Sequence, residues 1–171
     1  MAPLRGHGSM TILMTAAVAT LYVLVAAAPA RSHELRWRDE RQHIKRRAKE
    51  EVGAPYRSGG ESPRGFDCSG FTRWTYEGHG ADLPHSAIDQ FRLAHRRGYK
   101  RIWKRSRLHV GDLVFHKTTS ARVGHAGIYI GHGRFISATS SDGVRVESLH
   151  DPYYWGRRWV GATRLPVTMR P

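Results

Sequence analysis

Thiol-based nucleophilic catalysis is the chemistry for which this sequence has suitable residues. Cys68 is the one cysteine among 171 residues. It follows a turn-rich stretch that ends at Gly65 and precedes a run without Gly or Pro, from Phe71 to Tyr76. This pattern predicts that Cys68 lies in the first turn of a helix, where free N–H groups and the helix dipole favour a thiolate. The alternative is a small buried apolar residue.

A cysteine nucleophile needs a base, and His125 is the best-placed histidine. It lies in the clearest alternating stretch, in which His125, Gly127 and Tyr129 face one way. Several other histidines lie in or beside predicted turns, and His116, at a strand end, is a weaker candidate. The sequence has no short-spaced histidine or cysteine pair of the kind that binds zinc, so neither a metal nor another cofactor is expected.

A third polar group should orient the imidazole, and the register of the hairpin after His125 decides which. A two-residue turn would point Ser137 away from His125. A three-residue loop over residues 131–133 puts Ser137 and Thr139 on the face of His125. We expect this second register, with a bulge at Gly133, and Ser137 or Thr139 near the outer imidazole nitrogen. The alternative is that both hydroxyls lie on the surface without a role.

Helices are predicted before the sheet. Apolar residues at four-residue spacing indicate a helix over residues 41–52, ending at Gly53; they are Ile44, Ala48 and Val52. A second helix carries Cys68. Ser86 is a predicted N-cap for a short third helix over residues 87–94.

From Val110 onward the period changes to two, which predicts a meander of about five antiparallel strands. A basic loop over residues 96–107 is expected before it. The predicted strands are Asp112 to His116, Gly124 to Ile130, Arg134 to Ala138, Val144 to Leu149 and Trp159 to Leu165. N-terminal helices packed on such a sheet make an α+β fold.

The first thirty residues predict a leader. Arg5 is their one charged residue, an apolar run follows, and Ala28-Pro29-Ala30 resembles a cleavage site. We expect residues 1–30 to be a cleaved signal peptide, with a retained membrane anchor as the alternative, and residues 31–40 to be a basic linker. The chain is thus expected in the periplasm, cell wall or medium. A lone thiol in an exported chain forms no internal disulfide, which favours the catalytic reading.

The chain is strongly basic. Its 28 Lys and Arg against 14 Asp and Glu give a formal net charge of +14. Such a charge attracts polyanions, so anionic wall polymers are an expected second partner; a solvated basic surface is the alternative. Nucleic acid is not expected, because no base-stacking pattern or nucleic-acid motif is present.

The sequence contains four ordered motifs: Gly53-Ala54-Pro55-Tyr56-Arg57 with Gly59-Gly60, then Pro63-Arg64-Gly65-Phe66-Asp67-Cys68-Ser69-Gly70-Phe71, Val110-Gly111-Asp112-Leu113-Val114-Phe115, and Gly124-His125-Ala126-Gly127-Ile128-Tyr129-Ile130-Gly131. Together they resemble the NlpC-type cell-wall cysteine peptidases. The resemblance runs from about Ile44 to Leu165. It implies a permuted papain-like catalytic domain, residues 41–166, followed by a short tail, residues 167–171. The implied reaction is hydrolysis of an amide in the peptidoglycan stem peptide, usually between γ-D-glutamate and a diamino acid.

The resemblance also implies roles for single residues. Cys68 would be the nucleophile and His125 the base. Tyr56 matches a tyrosine near the nucleophile that helps bind the oxyanion; the alternative is a packing role. Asp67 and Ser69 match residues that shape the substrate cleft, although an N-cap role is the alternative for Asp67.

Two positions depart from the family pattern. Ser137 stands where the family often has histidine as its third polar group. His85, followed by Ser86, stands where arginine is common, and substrate contacts are expected there. A catalytically weakened wall-binding or activator protein of the same fold is therefore a rival function. A secreted antibacterial hydrolase or acyltransferase is another.

Overall fold

The computed structural model describes residues 35–120 and 122–166. The chain divides into two units, Met1–Arg38 and Asp39–Pro171. The predicted signal peptide and C-terminal tail lie outside the described residues. Within the described ranges, no helix combines the length and the apolar character needed to cross a bilayer.

Within the described ranges, three α-helices and eight strands alternate with short 3₁₀ turns. In chain order they are α1 (residues 35–50), β1 (Glu61–Ser62), β2 (Gly65–Phe66), α2 (Cys68–Tyr76), α3 (Ala87–Arg92), β3 (Lys100–Ile102), β4 (Leu113–His116), β5 (His125–Gly131), β6 (Arg134–Thr139), β7 (Gly143–Ser148) and β8 (Trp159–Arg164). The 3₁₀ turns are Leu93–His95, Arg105–Arg107 and Gly156–Arg158.

Helix α1 begins earlier than the sequence pattern indicated. The chain is helical from residue 35, inside the predicted linker, because residues 35–40 contain no Gly or Pro to interrupt a helix. Ile44 and Ala48 are fully buried, as predicted. Val52 is 46% exposed, because it follows the helix in a turn that closes at Gly53 with φ of +99°.

Six strands form the central sheet, in the order β3-β8-β4-β5-β6-β7, and each neighbouring pair is antiparallel. The five predicted strands are present. The sixth, β3, lies where a basic loop was predicted. It has only three residues, too few to give a readable alternation, and it pairs with β8 at the sheet edge. Its charged Lys100 and Arg101 are typical of an edge strand.

The β5–β6 hairpin has the predicted register, with Tyr129 opposite Phe135. The bulge, however, lies at the end of β5, between Tyr129 and Gly131, and not at Gly133. His132 and Gly133 have φ of 53° and 68°, the left-handed geometry that suits a two-residue hairpin turn. Gly131, with φ of +96°, takes up the extra residue as a bulge.

The helices α2 and α3 pack on the sheet and bring the start of α2 to β5. Helix α2 contacts β5 and β6, and α3 contacts β4, β5 and β8. In α3, Phe91 packs edge-on against Phe115 of β4, with ring centroids 5.3 Å apart. A second apolar cluster joins Val114, Phe135 and Trp155. The first residue of α2 therefore meets the first residues of β5.

Candidate active site

Asp67 fixes the start of α2 and hence the position of Cys68. Its Oδ1 accepts hydrogen bonds from the Gly70 N–H at 2.7 Å and the Ser69 hydroxyl at 2.9 Å. Its Oδ2 accepts one from the Gly59 N–H at 3.1 Å. Burial opposes ionisation of this carboxyl, but these bonds and the His85 ring outweigh it and hold the pKa of Asp67 below its usual value. The N-cap role considered for Asp67 is thus confirmed.

His85 belongs to the support of this cap. Its Nε2 lies 2.9 Å from Asp67 Oδ2, and its Nδ1 lies 3.5 Å from Glu61 Oε2, which accepts a bond from Arg73 at 2.9 Å. Ser86 caps α3 by accepting from the Asp89 N–H, as predicted. The expected substrate contacts at these two positions remain a prediction, because neither residue lines the cleft described next.

Cys68, His125 and Tyr56 meet at one open cleft of about 530 Å³. They come from the start of α2, the start of β5 and the loop before β1. The other lining residues are Thr118, Thr119, Gly124, Ala138, Thr139, Ser140, Ser141, Glu147, Tyr154 and Trp155. The cleft has the mixed apolar and hydroxyl lining of a ligand site, with a thiol and an imidazole at its wall.

The electrostatics of Cys68 differ from the sequence expectation. Burial raises the pKa of the Cys68 thiol, and the charge of Asp67 adds to the effect. Hydrogen bonds from the N–H groups of Ala126, Ser69 and Cys68 itself oppose it without reversing it. The expected thiolate-favouring helix terminus is therefore present, but the buried position and the adjacent anion prevail. The bond from Ala126 joins the sulfur to the residue after His125.

His125 is a buried, neutral imidazole. It is 7% exposed, and burial lowers its pKa to about 4. The Trp155 ring covers it, with centroids 4.8 Å apart and planes inclined by 32°. At neutral pH such a ring carries no proton on one nitrogen and can accept one.

The predicted orienting hydroxyls do not bond to His125. When the hairpin register is continued, Thr139 lies opposite His125 and Ser137 lies opposite Gly127, on the same face of the sheet. Ser137 is fully buried, and neither its Oγ nor His125 Nε2 has a hydrogen-bond partner in the described part of the chain. Thr139 lines the cleft and donates to the Gly143 carbonyl at 3.4 Å.

Tyr56 lies beside the nucleophile through backbone pairing. It forms an isolated parallel bridge with Phe66, and the flanking Pro55 carbonyl accepts from the Phe66 N–H at 3.0 Å. Burial, followed by its neighbours Cys68 and Asp67, raises the pKa of the Tyr56 phenol. The phenol thus stays protonated and can act as a donor.

Sequence reasoning missed the loop before β8. Trp155 packs on His125, and Tyr154 lines the cleft beside it. Asp151 holds this loop, because its carboxylate accepts from the N–H groups of Tyr153, Tyr154 and Trp155 at 3.1, 2.8 and 3.0 Å. The run Asp151 to Trp155 is an Asp-initiated turn followed by aromatics, a signal that could have been read. Among the described residues, no group of three or more His, Cys, Asp or Glu side chains could hold a metal ion.

Comparison with known proteins shows that most of the chain matches one protein family. The profile of the NlpC/P60 family matches residues 53–164. The murein DD-endopeptidase MepS/murein LD-carboxypeptidase of Escherichia coli K12 is 39% identical over 114 residues, which are 66% of this chain and 56% of that protein. The peptidoglycan DL-endopeptidase CwlO of Bacillus licheniformis is 38% identical over 120 residues, 67% of this chain and 25% of that protein. This chain thus spans about half or less of these relatives.

Solved structures agree with the sequence matches. An NlpC/P60 family protein from Bacillus cereus superposes with a TM-score of 0.63 at 32% identity, over 74% of this chain and 40% of that one. The NlpC/p60 domain of the peptidoglycan hydrolase SagA gives 0.60 at 30% identity, over 73% of this chain and 98% of that domain. The chain described here belongs to the NlpC/P60 family.

Proposed function

We propose that this protein is an exported cysteine endopeptidase that hydrolyses an amide bond in the stem peptide of peptidoglycan. One observation carries the proposal: Cys68 and His125, from separate elements, line the same cleft. The names of the relatives support the substrate, since they act on murein or peptidoglycan. The predicted leader supports export.

Attack begins from a neutral pair. The Cys68 thiol, whose pKa burial raises, gives its proton to the neutral His125 as Sγ forms a bond to the amide carbonyl carbon. N–H groups at the start of α2 and the Tyr56 hydroxyl donate hydrogen bonds to the carbonyl oxygen and stabilise the negative charge that develops on it. His125 then passes its proton to the amide nitrogen, and the C–N bond breaks to release the amine.

Water completes the cycle. It adds to the thioester carbon while its proton goes to His125. The C–S bond breaks, the new carboxylic acid leaves, and His125 returns the proton to Sγ. Tyr56 is suited to the oxyanion role because its pKa is raised and it keeps its proton at neutral pH.

The bond we propose is the one between γ-D-glutamate and the diamino acid. The motif resemblance and the DL-endopeptidase name of CwlO support it. The rival is a DD bond at the cross-link, which the name of MepS favours. We also propose that the net charge of +14 holds the protein on anionic wall polymers.

Digestion of defined muropeptides by the purified full chain tests the function. We expect an uncross-linked tetrapeptide to be cut between its second and third residues, with both fragments identified by mass spectrometry. Cleavage only of cross-linked dimers would transfer the assignment to the DD bond. No cleavage of either substrate would contradict the endopeptidase proposal and favour a wall-binding role. For wall binding, retention on isolated cell walls that persists at 1 M salt, where the Debye length is about 3 Å, would contradict electrostatic attachment.

A further inference from the structure

His116, at the end of β4, is a buried histidine that the mechanism above does not use. It is fully buried, and neither of its ring nitrogens has a hydrogen-bond partner in the described part of the chain. A neutral imidazole has one donor and one acceptor, and leaving either one buried without a partner is destabilising. A phenylalanine would fill such a space without this cost, so the position of His116 needs an explanation.

The unpartnered atoms of His116 lie beside those of the base. His116 is paired directly with His125 across β4 and β5, and their ring centroids are 6.4 Å apart. His125 Nε2 and Ser137 Oγ are also buried and unpartnered. Four polar atoms on one face of three adjacent strands thus lack partners, two on His116 and one each on His125 and Ser137.

Aromatic rings enclose this group of atoms. His116 stacks on Phe135 with centroids 5.0 Å apart, and Trp155 packs edge-on at 5.0 Å while also covering His125. Trp159 also lies edge-on to His116, with ring centroids 6.0 Å apart. Water exchange with solvent is restricted here, and hydrogen bonds are stronger in such low-dielectric surroundings.

We propose that His116 is the positioning residue for the His125 base, which acts with Ser137 through one hydrogen-bonded group closed by a single buried water molecule. This inference rests on the proposed function. A centroid separation of 6.4 Å fits two imidazoles bridged by one water, and such a water would have the two to four polar partners that buried waters need. The hydroxyl of Ser137, which makes no direct hydrogen bond to His125, is the third partner.

This arrangement gives His116 the task that the family often assigns to a histidine at the position of Ser137. An acceptor at the outer nitrogen of His125 fixes the ring orientation and stabilises the imidazolium that forms during attack. Besides His125, the charged group that acts on His116 is Arg105, whose guanidinium lies 5.3 Å from the Trp159 ring. Burial and these two neighbours lower the pKa of His116 to about 3, which keeps the ring neutral and able to accept.

Substitution of His116→Phe tests the proposal, because phenylalanine retains the packing and removes both nitrogens. We expect kcat for muropeptide cleavage to fall about tenfold to a hundredfold, the effect of losing a buried hydrogen bond. KM should not change, because His116 does not line the cleft. His116→Gln, which keeps a donor and an acceptor, should recover part of kcat. Ring ¹⁵N spectra of His125 should show a changed tautomer balance in His116→Phe.

Tyr129→Phe is the matched control. It removes a hydroxyl from the same face of β5, where the Tyr129 oxygen accepts from the Gly133 N–H at 3.2 Å. This variant should leave kcat and the His125 spectrum unchanged. Wild-type kcat and an unmoved His125 spectrum in His116→Phe would overturn the proposal. So would a loss of kcat that His116→Gln does not recover and that leaves the His125 spectrum unmoved. The spectra need no turnover, so a wild-type chain that cleaves nothing would reject the endopeptidase function while still deciding the role of His116.

Discussion

The two sides of Cys68 differ in how their polar groups are satisfied. On the Asp67 side, the carboxylate accepts from Gly59, Ser69 and Gly70 and pairs with His85. On the His125 side, His125, His116 and Ser137 are buried with polar atoms that have no partner among the described residues. The hydrogen bonds on the Asp67 side hold the nucleophile in place. The His125 side places its donors and acceptors beside one another, where a proton moves during the proposed reaction. The Asp67 side is therefore a structural half of the site, and the side of His125, His116 and Ser137 is a chemical half.

The largest expected effect lies on the chemical half. His125→Phe should lower kcat at least about a thousandfold, because general acid–base catalysis contributes about 10²–10⁴ and no second imidazole lines the cleft in the described part of the chain. The folded state should remain as stable as the wild type, since the substitution removes an unpartnered buried nitrogen. Paired assays of muropeptide cleavage and urea unfolding measure both. A strongly destabilised variant would place His125 on the structural half.

Asp67→Ala should show the opposite balance. Loss of the N-cap and of the bonds to Gly59 and Ser69 should lower the free energy of unfolding by about 2–4 kcal/mol. Urea unfolding measures it. The matched control is Asp89→Ala, which removes an exposed pair with Arg92 and should cost less than about 1 kcal/mol. Equal losses in the two variants would mean that the Asp67 bonds contribute little.

As the pH falls, protonation of His125 and His116 on the chemical half should lower the free energy of unfolding before protonation of Asp67 does. The pKa values of His125 and His116 are lowered to about 4 and about 3, below their usual value of 6.5, so the unfolded chain binds more protons in between. The contribution of the two histidines to the free energy of unfolding is fully present above about pH 6.5. It falls as the pH drops toward 4, by up to about 1.4 kcal/mol per pH unit for each histidine. Asp67, whose pKa is lowered, loses its contribution only below its usual value of 3.8. Urea midpoints at pH 7, 6 and 5 measure the slope.

His125→Phe is the control for this slope and should flatten it by about half. A wild-type midpoint that stays constant from pH 7 to pH 5 would show that the pKa values of the two rings in the folded chain lie near the usual value of 6.5, which contradicts their burial as neutral groups.

The smallest expected effect is that of Ser137→Ala. It removes one buried hydroxyl that has no partner among the described residues, so the free energy of unfolding should change by less than about 1 kcal/mol. Activity should fall less than tenfold, because His116 and the shared water keep the base oriented. Steady-state cleavage at several pH values tests this. A loss as large as that of His125→Phe would show that Ser137, and not His116, orients the His125 base.

Local patterns predicted the frame of the site well. The turn residues before Cys68 and the cap chemistry of Asp67 and Ser86 are local, so they could be read from neighbouring residues. The β5–β6 register followed from turn geometry alone, although the bulge lies at Gly131. These features depend on residues close together in the chain.

Properties that depend on tertiary packing could not be read in this way. The pKa of Cys68 is raised because the folded chain buries the thiol beside Asp67, which helix position alone does not reveal. The proposed role of His116 follows only from the pairing of β4 with β5, which places it beside His125, and from the rings that enclose it. Strand β3 is defined by its partner β8 more than by its own three residues.

We propose that the Cys68 sulfur is the nucleophile of this site. The most direct test is cleavage of one purified muropeptide by the wild-type and Cys68→Ala chains at equal concentration, with fragments counted by mass spectrometry. We expect Cys68→Ala to unfold at the wild-type urea midpoint or above it and to release no fragments above background. Fragments released by Cys68→Ala at a rate near that of the wild type would contradict it.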